Sequence, residues 1–533
     1  MTPVDDRLSS SSAVVRSGIF NLAGFGASAL YMILLVPIVL HYLGREHYGL
    51  WTAVLAITGY IGLADLGVSS SFVTYIARYV AAHDYRQSGR VVHLGLLFYL
   101  LVTLIMLGLS SVAGDFFFTM LRIPAETLPL AQQTLTLAVA VFGVTSVAGV
   151  YGSVLGAIQR VDLFNMLAIA SYAARLVVIT LALSLGFGVP GLLAGDALVT
   201  ALNVPVLVIL IRRELPEMPL GWLSYDHDLM KRMLRFGIQM QVSRIADVVQ
   251  TQWDKLVLTR ALGLSAATMY DVGARPSARL RMLPITAIAS LVPAVSALDA
   301  RDQQERIRAA LVRATRYLAL ISAPMFGLAV VFADPILRLW LNDAGYTQAA
   351  WTLRILSAAL FVNVVAGALS LVAQGRGEPQ YQMRTTLIQA VLNLILSVVL
   401  VLQFGFYGAA CGTGISIVFG GLLFFHVYGK RIMPAPLKTL FTLAAKPVLC
   451  VVPAGVAGYL ASLAGRMVPS ESLRIVAALE LIPGVLVFAA VYIAMVRVTR
   501  VLTADDMGFF RNALPMKVQR LHRLSVTIEG NDT

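Results

Sequence analysis

Ionisable side chains lie inside segments of the chain that are otherwise apolar enough to cross a membrane. The arginines among them are Arg175, Arg244, Arg275, Arg279 and Arg281. The aspartates are Asp65, Asp247, Asp254 and Asp271. A guanidinium group stays charged and binds phosphate through two parallel hydrogen bonds, whereas a carboxylate can take up a proton or a small cation. This combination is typical of a site that binds an anion and exchanges an ion.

The spacing of these residues predicts two polar helix faces. Steps of three, three, four and three residues separate Gln241, Arg244, Asp247, Thr251 and Asp254, with Lys255 beside them. Steps of four separate Asp271, Arg275 and Arg279, with Arg281 close by. Because a helix turns once in 3.6 residues, each set lies along one stripe. We expect both stripes to face a shared interior.

Burial of these charges in hydrocarbon would be costly. A charge at mid-membrane costs roughly 2.5–3.5 kcal/mol even on lenient insertion scales. Residue counts place Asp65, Arg175, Asp247 and Arg279 within about two helical turns of that depth. They are therefore expected to be paired or hydrated.

Two interpretations of the arginines stay open at this stage. Pairs such as Asp271 with Arg275, or Arg244 with Asp247, would stabilise the bundle and do nothing else. The arginines nevertheless outnumber the neighbouring acids that could neutralise them, and a surplus of guanidinium groups favours an anionic ligand. We therefore expect the five arginines to bind an anionic headgroup and the four aspartates to act in ion coupling or as hinges.

Asp65 has two interpretations of its own. It lies in "GLADLG", between Gly62 and Gly67, where glycine permits a helix to bend. Its carboxylate either satisfies backbone groups where the helix is interrupted, or titrates at a hinge.

Aromatic residues accompany the charges. Trp51 and Tyr270 are expected in the aromatic belt at the membrane surface. For Tyr60 and Trp253, stacking on a sugar ring and a place in the belt both stay open.

Composition sets the class of protein. The 533 residues are 58% hydrophobic and 13% charged, with a mean hydropathy of +0.79, which indicates a polytopic membrane protein. The formal charge of +13 therefore indicates orientation and not a nucleic-acid partner. Cys411 and Cys450 lie in apolar segments, and no nucleotide-binding, metal or hydrolase motif occurs. We expect no enzyme activity, no cofactor and no metal.

The apolar segments predict an all-α fold of about fourteen transmembrane helices. They span 17–41, 48–79, 89–113, 130–155, 164–186, 189–213, 235–262, 266–298, 309–332, 347–374, 381–404, 407–428, 443–465 and 473–497. The loops after crossings two, four, six, eight, ten and twelve and the C-terminal tail are rich in lysine and arginine. Both termini are therefore expected in the cytoplasm.

The chain also repeats itself. "FGVPG" at Phe187 and "FGFYG" at Phe404 each join two apolar segments, and Gly44 aligns with Gly263 at nearly the same offset. This repetition predicts two parallel six-helix repeats around a central cavity, at 1–213 and 235–428, as in many transporters. The prediction is completed by an amphipathic cytoplasmic linker at 214–234, two additional helices at 443–497 and a cytoplasmic tail at 498–533. In the tail, "TADDMG" predicts a helix capped by Thr503.

Several stretches resemble a known family: "LGREHYGLW…GLADLG", "WDKLVLTRALGLSAATMYDVGAR" from Trp253, "DPILRLWLNDAGYTQAAWTLRIL" from Asp334 and "QGRGEPQYQMRTTLIQAVLNLILS" from Gln374. The chain resembles bacterial polysaccharide flippases of the Wzx type, which belong to the multidrug/oligosaccharidyl-lipid/polysaccharide exporter superfamily. The likeness covers roughly residues 13 to 497.

The resemblance implies a flippase that moves undecaprenyl-pyrophosphate-linked oligosaccharide from the cytoplasmic to the periplasmic leaflet of the bacterial inner (plasma) membrane by alternating access. It implies a cavity lined by cations, matched here by the arginines of helices five, seven and eight. The implied partners are the lipid-linked oligosaccharide, an H⁺ or Na⁺ counter-ion, membrane lipids, a polysaccharide polymerase and a chain-length regulator.

Other functions compete with this one. A cation-coupled multidrug exporter of the same superfamily would carry cationic cargo and need an acidic cavity. An integral membrane glycosyl-transfer enzyme typically needs a large extramembrane loop or a metal-binding acidic motif, which this sequence does not show. A scaffold without transport activity stays open.

Overall fold

The computed structural model describes residues 11–220, 225–467 and 472–501, which are helical and contain no β-strand. The first eight helices are α1 (Ser11–Ile61), α2 (Val68–Ala81), α3 (Tyr85–Met120), α4 (Leu128–Ala157), α5 (Val161–Ser184), α6 (Gly188–Glu214), α7 (His227–Leu262) and α8 (Leu264–Ala287). The next eight are α9 (Leu291–Asp299), α10 (Gln304–Val331), α11 (Ala333–Leu341), α12 (Thr347–Gly375), α13 (Gln380–Phe404), α14 (Phe406–Gly429), α15 (Pro436–Arg466) and α16 (Leu473–Val498). Short 3₁₀ helices span Gly62–Asp65 and Ala125–Thr127.

Helix length and hydropathy alone identify fewer membrane crossings than the roughly fourteen that the sequence predicts. Within the described ranges, eleven helical segments are long and apolar enough to cross, and the bent pair α8–α9 makes a twelfth. One reason is that α1 comprises two helices joined at a kink at Gly44, so it takes in the first predicted crossing and part of the second. Another is that its polar stripe makes α7 less apolar than the other long helices. The count of about fourteen stays a prediction.

Two glycines mark equivalent turns in the two halves of the chain. Gly44 has φ 69° and ψ −178°, and Gly263, between α7 and α8, has φ 90° and ψ 176°. Only glycine adopts this conformation without strain. The alignment of Gly44 with Gly263 is thus matched by a shared backbone geometry. We call α1–α6 the N-terminal half and α7–α14 the C-terminal half.

The predicted break in the second crossing is confirmed. A 3₁₀ turn covers Gly62–Asp65, Leu66 and Gly67 have φ 49° and 71°, and α2 then starts at Val68. The crossing predicted as one helix at 266–298 is instead two helices, α8 and α9, bent by 44°.

The linker enters the seventh crossing without interruption. Asp226 caps α7 by accepting a hydrogen bond of 2.9 Å from the backbone N–H of Leu229, and α7 then continues to Leu262. Positions 221–224 of the predicted linker lie outside the described residues, as does the predicted tail helix at Thr503.

The two halves meet along α1 and α2 on one side and α7 and α8 on the other. The backbones approach so closely that a Cβ at Gly67 would collide with the carbonyl of Gly237, and one at Gly49 with that of Leu264. A shared apolar core runs through this boundary, including Val36, Val54 and Leu258. Helices α15 and α16 pack on each other and on α10 and α11.

Candidate functional site

A buried aspartate with two cations lies where the halves meet. The Asp271 side chain on α8 is 1% exposed. It accepts a hydrogen bond of 2.9 Å from the Tyr48 hydroxyl on α1, and Lys255 Nζ on α7 lies 2.9 Å from its other oxygen. Arg275, one turn along α8, forms an ion pair with the same carboxylate. Because two cations share one anion, this cluster carries a net positive charge.

Arg275 also reaches across to the N-terminal half. Its guanidinium group lies 5.4 Å from the ring centroid of Trp51, a cation–π contact, and Nη1 lies 3.5 Å from Met32 Sδ. Trp51 is 5% exposed, so its expected place in the interface belt is wrong. Its ring is buried because it covers the charge of Arg275 at the boundary.

Asp65 stabilises the break in its own crossing and also contacts the other half. It accepts hydrogen bonds from the backbone N–H (3.1 Å) and hydroxyl (2.6 Å) of Ser69 at the start of α2, and from the Tyr99 hydroxyl (2.6 Å) on α3. Arg244 on α7 forms an ion pair with it and donates to Ser69 Oγ at 2.9 Å. The backbone-satisfying interpretation is therefore observed. Arg244 pairs with Asp65 and not with Asp247.

Arg175 has a partner that the sequence analysis did not identify. Its Nε lies 2.8 Å from Asp196 Oδ1 on α6, and Nη2 donates to Thr200 Oγ1 at 2.9 Å. The Tyr31 ring stacks on Tyr172 at 5.2 Å and interacts electrostatically with both Arg175 and Arg275. Tyr31 thus brings an arginine from each half into one neighbourhood.

Asp254 lies in a different environment, inside the C-terminal half. It is 1% exposed and accepts a hydrogen bond of 2.6 Å from the Tyr270 hydroxyl, with further bonds from Ser397 and Thr413. Among the described residues no lysine or arginine contacts it, and the nearby Asn393 Oδ1 is buried without a partner. Tyr270 is 3% exposed, so its predicted place in the belt is also wrong.

The remaining predicted residues lie on the C-terminal side. Arg279 is half-buried and forms no ion pair within the described ranges. Arg281 and Asp247 line the same small cavity without approaching closely enough to form an ion pair. The predicted set therefore divides into the Asp271 cluster, the Asp65–Arg244 contact, the Arg175–Asp196 pair, the Asp254 cluster and the cavity of Asp247 and Arg281, with Arg279 one turn along α8 from Arg275.

The surplus of positive charge is smaller than the sequence indicated. Asp65 and Asp196 neutralise Arg244 and Arg175. The positive charge that remains is that of Lys255 and Arg275 on the single carboxylate of Asp271 and that of Arg279 and Arg281, which form no ion pair among the described residues. Asp196 could have been found by the criterion that found Asp65, because it is also a carboxylate inside an apolar segment. Hydroxyl partners such as Tyr48 carry no comparable signal in the sequence.

Long apolar helices packed around polar clusters define a multi-pass membrane protein. The chain belongs to the polysaccharide biosynthesis protein family, which it matches over residues 14–299. Residues 258–399 also match the MatE family.

Two curated relatives illustrate the family. The chain is 20% identical over 422 residues to a putative O-antigen transporter of Shigella flexneri, covering 78% of this chain and 98% of that protein. It is 30% identical over 186 residues to the probable low-salt glycan biosynthesis flippase Agl15 of Haloferax volcanii, covering 35% and 39% of the two chains. In keeping with these relatives, the chain is a transport protein and not an enzyme.

Solved structures share the fold. An inward-facing multidrug resistance MATE family transporter superposes with a TM-score of 0.66 at 19% identity, covering 80% of this chain and 99% of that one. Lipid II flippase MurJ, in an inward closed conformation, also superposes with a TM-score of 0.66, at 16% identity, covering 90% of this chain and 99% of that one. The expected superfamily fold is thereby confirmed.

Proposed function

We propose that the chain is a flippase that moves undecaprenyl-pyrophosphate-linked oligosaccharide from the cytoplasmic to the periplasmic leaflet by alternating access. Family membership supports the cargo class, as do relatives named as an O-antigen transporter and a glycan biosynthesis flippase. The observation that carries the proposal is the pair of cations, Lys255 and Arg275, on the single carboxylate of Asp271 at the boundary between the halves.

The physical problem for such a cargo is its headgroup. Sugars and a pyrophosphate cannot cross hydrocarbon unaided, because each unpaired polar group costs several kcal/mol and a bare charge far more. A polar, cationic path between the halves removes most of this cost while the isoprenoid tail stays in lipid. Arg279, one turn from Arg275 and without a partner among the described residues, extends that path along α8.

Alternating access requires contacts between the halves that can break and re-form. The Arg244–Asp65 ion pair and the Tyr48–Asp271 hydrogen bond both join the N-terminal to the C-terminal half. We propose that pyrophosphate competes for the cations of these contacts, which would couple cargo binding to separation of the halves. Each cargo charge that leaves a cell held at 100 mV, inside negative, gains about 2.3 kcal/mol.

Asp254 is proposed as the site of the H⁺ or Na⁺ counter-ion. No basic side chain in the described structure neutralises this buried carboxylate, so only hydroxyl hydrogen bonds offset its charge, and a proton or a bound cation would neutralise it. The hydroxyls of Tyr270, Ser397 and Thr413 and the unpaired Asn393 Oδ1 supply oxygen atoms of the kind that hard cations prefer. All the side chains of this ion site belong to the C-terminal half. The site therefore stays intact when that half moves, and the movement can change whether an ion is bound.

We propose the bacterial inner membrane as the location, with both termini in the cytoplasm. The basic loops support this orientation, including Arg86 and Arg90 after α2 and Lys430 and Arg431 after α14. The end of the bundle that contains Gly44, Gly263 and the loop at 342–346 then faces the periplasm.

Reconstitution tests the function directly. We expect proteoliposomes containing the purified full-length chain to move a fluorescent polyprenyl-pyrophosphate oligosaccharide between leaflets, measured as the fraction protected from a membrane-impermeant quencher. Efflux of a cationic dye by the same vesicles, without movement of the lipid, would support a multidrug exporter instead. Movement of neither would contradict the proposal.

A further inference from the structure

A small polar cavity of about 210 Å³ lies inside the C-terminal half, between α7, α8, α12, α13 and α14. Five side-chain amides are the most numerous polar groups of its lining: Gln250, Asn363, Gln374, Gln382 and Gln389. We call this cavity the amide pocket. Nothing in the headgroup path described above accounts for so many amides at one place.

The amides of the pocket are poorly satisfied by the protein. Gln250, Asn363 and Gln389 form no hydrogen bond with any described residue, although Gln389 is only 7% exposed. Gln374 and Gln382 are joined by one long contact of 3.5 Å. Unpaired polar groups inside a helix bundle occur where they line a hydrated or occupied cavity. The pocket is therefore built for a ligand or water that both donates and accepts hydrogen bonds.

The charge of the pocket argues against phosphate as its ligand. Arg281 and Asp247 both line it, so its formal charges cancel. Phosphate accepts hydrogen bonds and favours an excess of cations, which the protein offers at Asp271. A side-chain amide has two N–H donors and a carbonyl acceptor, which match hydroxyls that donate and accept. The pocket therefore suits the polyhydroxylated ring of a sugar.

Two glycines let the Gln389 and Asn363 side chains pack closely against α14. A Cβ at Gly420 would lie 2.3 Å from Gln389 Oε1 and 2.8 Å from its Cβ. A Cβ at the neighbouring Gly421 would already contact Asn363. Phe424, one turn further along α14, lines the same wall and adds an apolar surface. A larger residue at Gly420 would displace the Gln389 amide, so the glycine backbone of α14 holds this amide at the pocket wall.

We propose that the amide pocket binds one sugar ring of the cargo, while the cations at the boundary between the halves bind its pyrophosphate. This inference rests on the proposed flippase function and adds to it a subsite that selects for a sugar. The volume agrees with a single ring, since pockets for larger, drug-sized ligands measure about 300–1,000 Å³. The remaining sugars of the cargo would lie outside the pocket.

The test compares two lipids on the purified full-length chain in nanodiscs. One is a polyprenyl pyrophosphate carrying a single hexose, and the other is the same polyprenyl pyrophosphate without the sugar. We expect Gln389→Leu to weaken binding of the sugar-bearing lipid about tenfold and to leave binding of the sugar-free lipid unchanged. Gln403→Leu, on the exposed side of the same helix, is the matched control and should change neither affinity.

Gln250→Leu on α7 provides a second variant, because Gln389 is buried and its replacement can impair folding. We expect the same selective loss. Wild-type protein that binds both lipids equally well, or variants that lose both equally, would overturn the amide pocket and leave the flippase proposal standing. Wild-type protein that binds neither lipid would overturn both proposals.

Discussion

Arg45 Nη2 lies 2.8 Å from Asp343 Oδ2, and this ion pair joins residues 298 positions apart in the two halves of the chain. The Arg45 guanidinium group also lies 4.6 Å from the Tyr346 ring centroid, and its backbone carbonyl accepts a hydrogen bond of 2.6 Å from the Thr268 hydroxyl. These contacts close the halves against each other at the end that contains Gly44. Any motion that opens this end must break them.

Asp343→Asn should favour opening of that end. The variant removes the charge that Arg45 contacts but keeps the shape of the side chain, so the closed state loses a contact that the open state lacks. We expect longer distances between spin labels placed on α1 and α12 near the Gly44 end, measured by double electron–electron resonance. Identical distance distributions for wild-type and variant protein would show that the ion pair does not hold this end closed.

The same contact should resist acid. Burial alone would raise the pKa of Asp343, but hydrogen bonds from the Gly345 backbone N–H at 2.7 Å and from Arg45 outweigh it and hold the pKa below its usual value. A lowered pKa adds stability that is fully present above the ordinary aspartate pKa and is lost as the pH falls through the lowered one. The distances between the spin labels should therefore stay short while the pH passes through the ordinary titration range of aspartate, and should lengthen only at lower pH.

Arg279→Ala should strongly reduce export. Arg279 has no carboxylate partner in the described structure, so its loss removes positive charge from the headgroup path without stranding an acid. We expect at least a tenfold loss of surface polysaccharide in cells that depend on this protein, with unchanged protein abundance, and partial recovery with Arg279→Lys. Arg301→Ala, at an exposed turn after α9, is the control. Full polysaccharide output from Arg279→Ala would contradict the proposed path.

Asp254→Asn should uncouple transport from its ion. Asparagine keeps the shape of the side chain but can neither exchange a proton nor neutralise a cation. In proteoliposomes we expect lipid movement by the variant to be insensitive to an imposed H⁺ or Na⁺ gradient that accelerates the wild-type protein. Asp228→Asn, at the exposed start of the same helix, should respond as the wild type does. An unchanged gradient response of Asp254→Asn would exclude this carboxylate as the coupling site.

Glu480→Gln should destabilise the attachment of the last two helices. Glu480 on α16 is 1% exposed and binds Arg338 on α11 through two hydrogen bonds, of 2.8 and 3.1 Å, with Arg466 Nε at 3.3 Å. Removing one partner of a buried ion pair typically costs 3–5 kcal/mol, and we expect about 3 kcal/mol here. Thermal unfolding in detergent measures the effect. Glu305→Gln, whose side chain is 90% exposed, should leave the melting temperature unchanged.

The orientation of the chain can be tested by cysteine labelling. In a variant with Cys411 and Cys450 replaced by alanine, a membrane-impermeant thiol reagent should label Ala344→Cys in intact spheroplasts. It should label Ala82→Cys only after permeabilisation. Both positions are exposed, so accessibility reflects the side of the membrane and not burial. The reverse pattern would place both termini outside the cytoplasm.

Sequence reasoning located most of the charged centres but assigned few of their partners. A carboxylate or guanidinium group inside an apolar segment is visible along the chain, which is how Asp65, Asp254 and Asp271 were found. The same criterion applied to Asp196 and Glu480 would have found the acids that neutralise Arg175 and Arg338. The amide pocket had no such signal, because neutral amides are unremarkable one at a time.

Hydrophobic composition by itself determined that this chain is a helical membrane protein. The order of residues was enough to identify the repeated glycines, the basic loops and the charges inside apolar segments. The pairing of those charges was decided by tertiary structure alone. Arg244 meets Asp65 across 179 positions of chain, in preference to the acid one turn away, because a side chain responds to the helix packed against it and not to its neighbours in sequence.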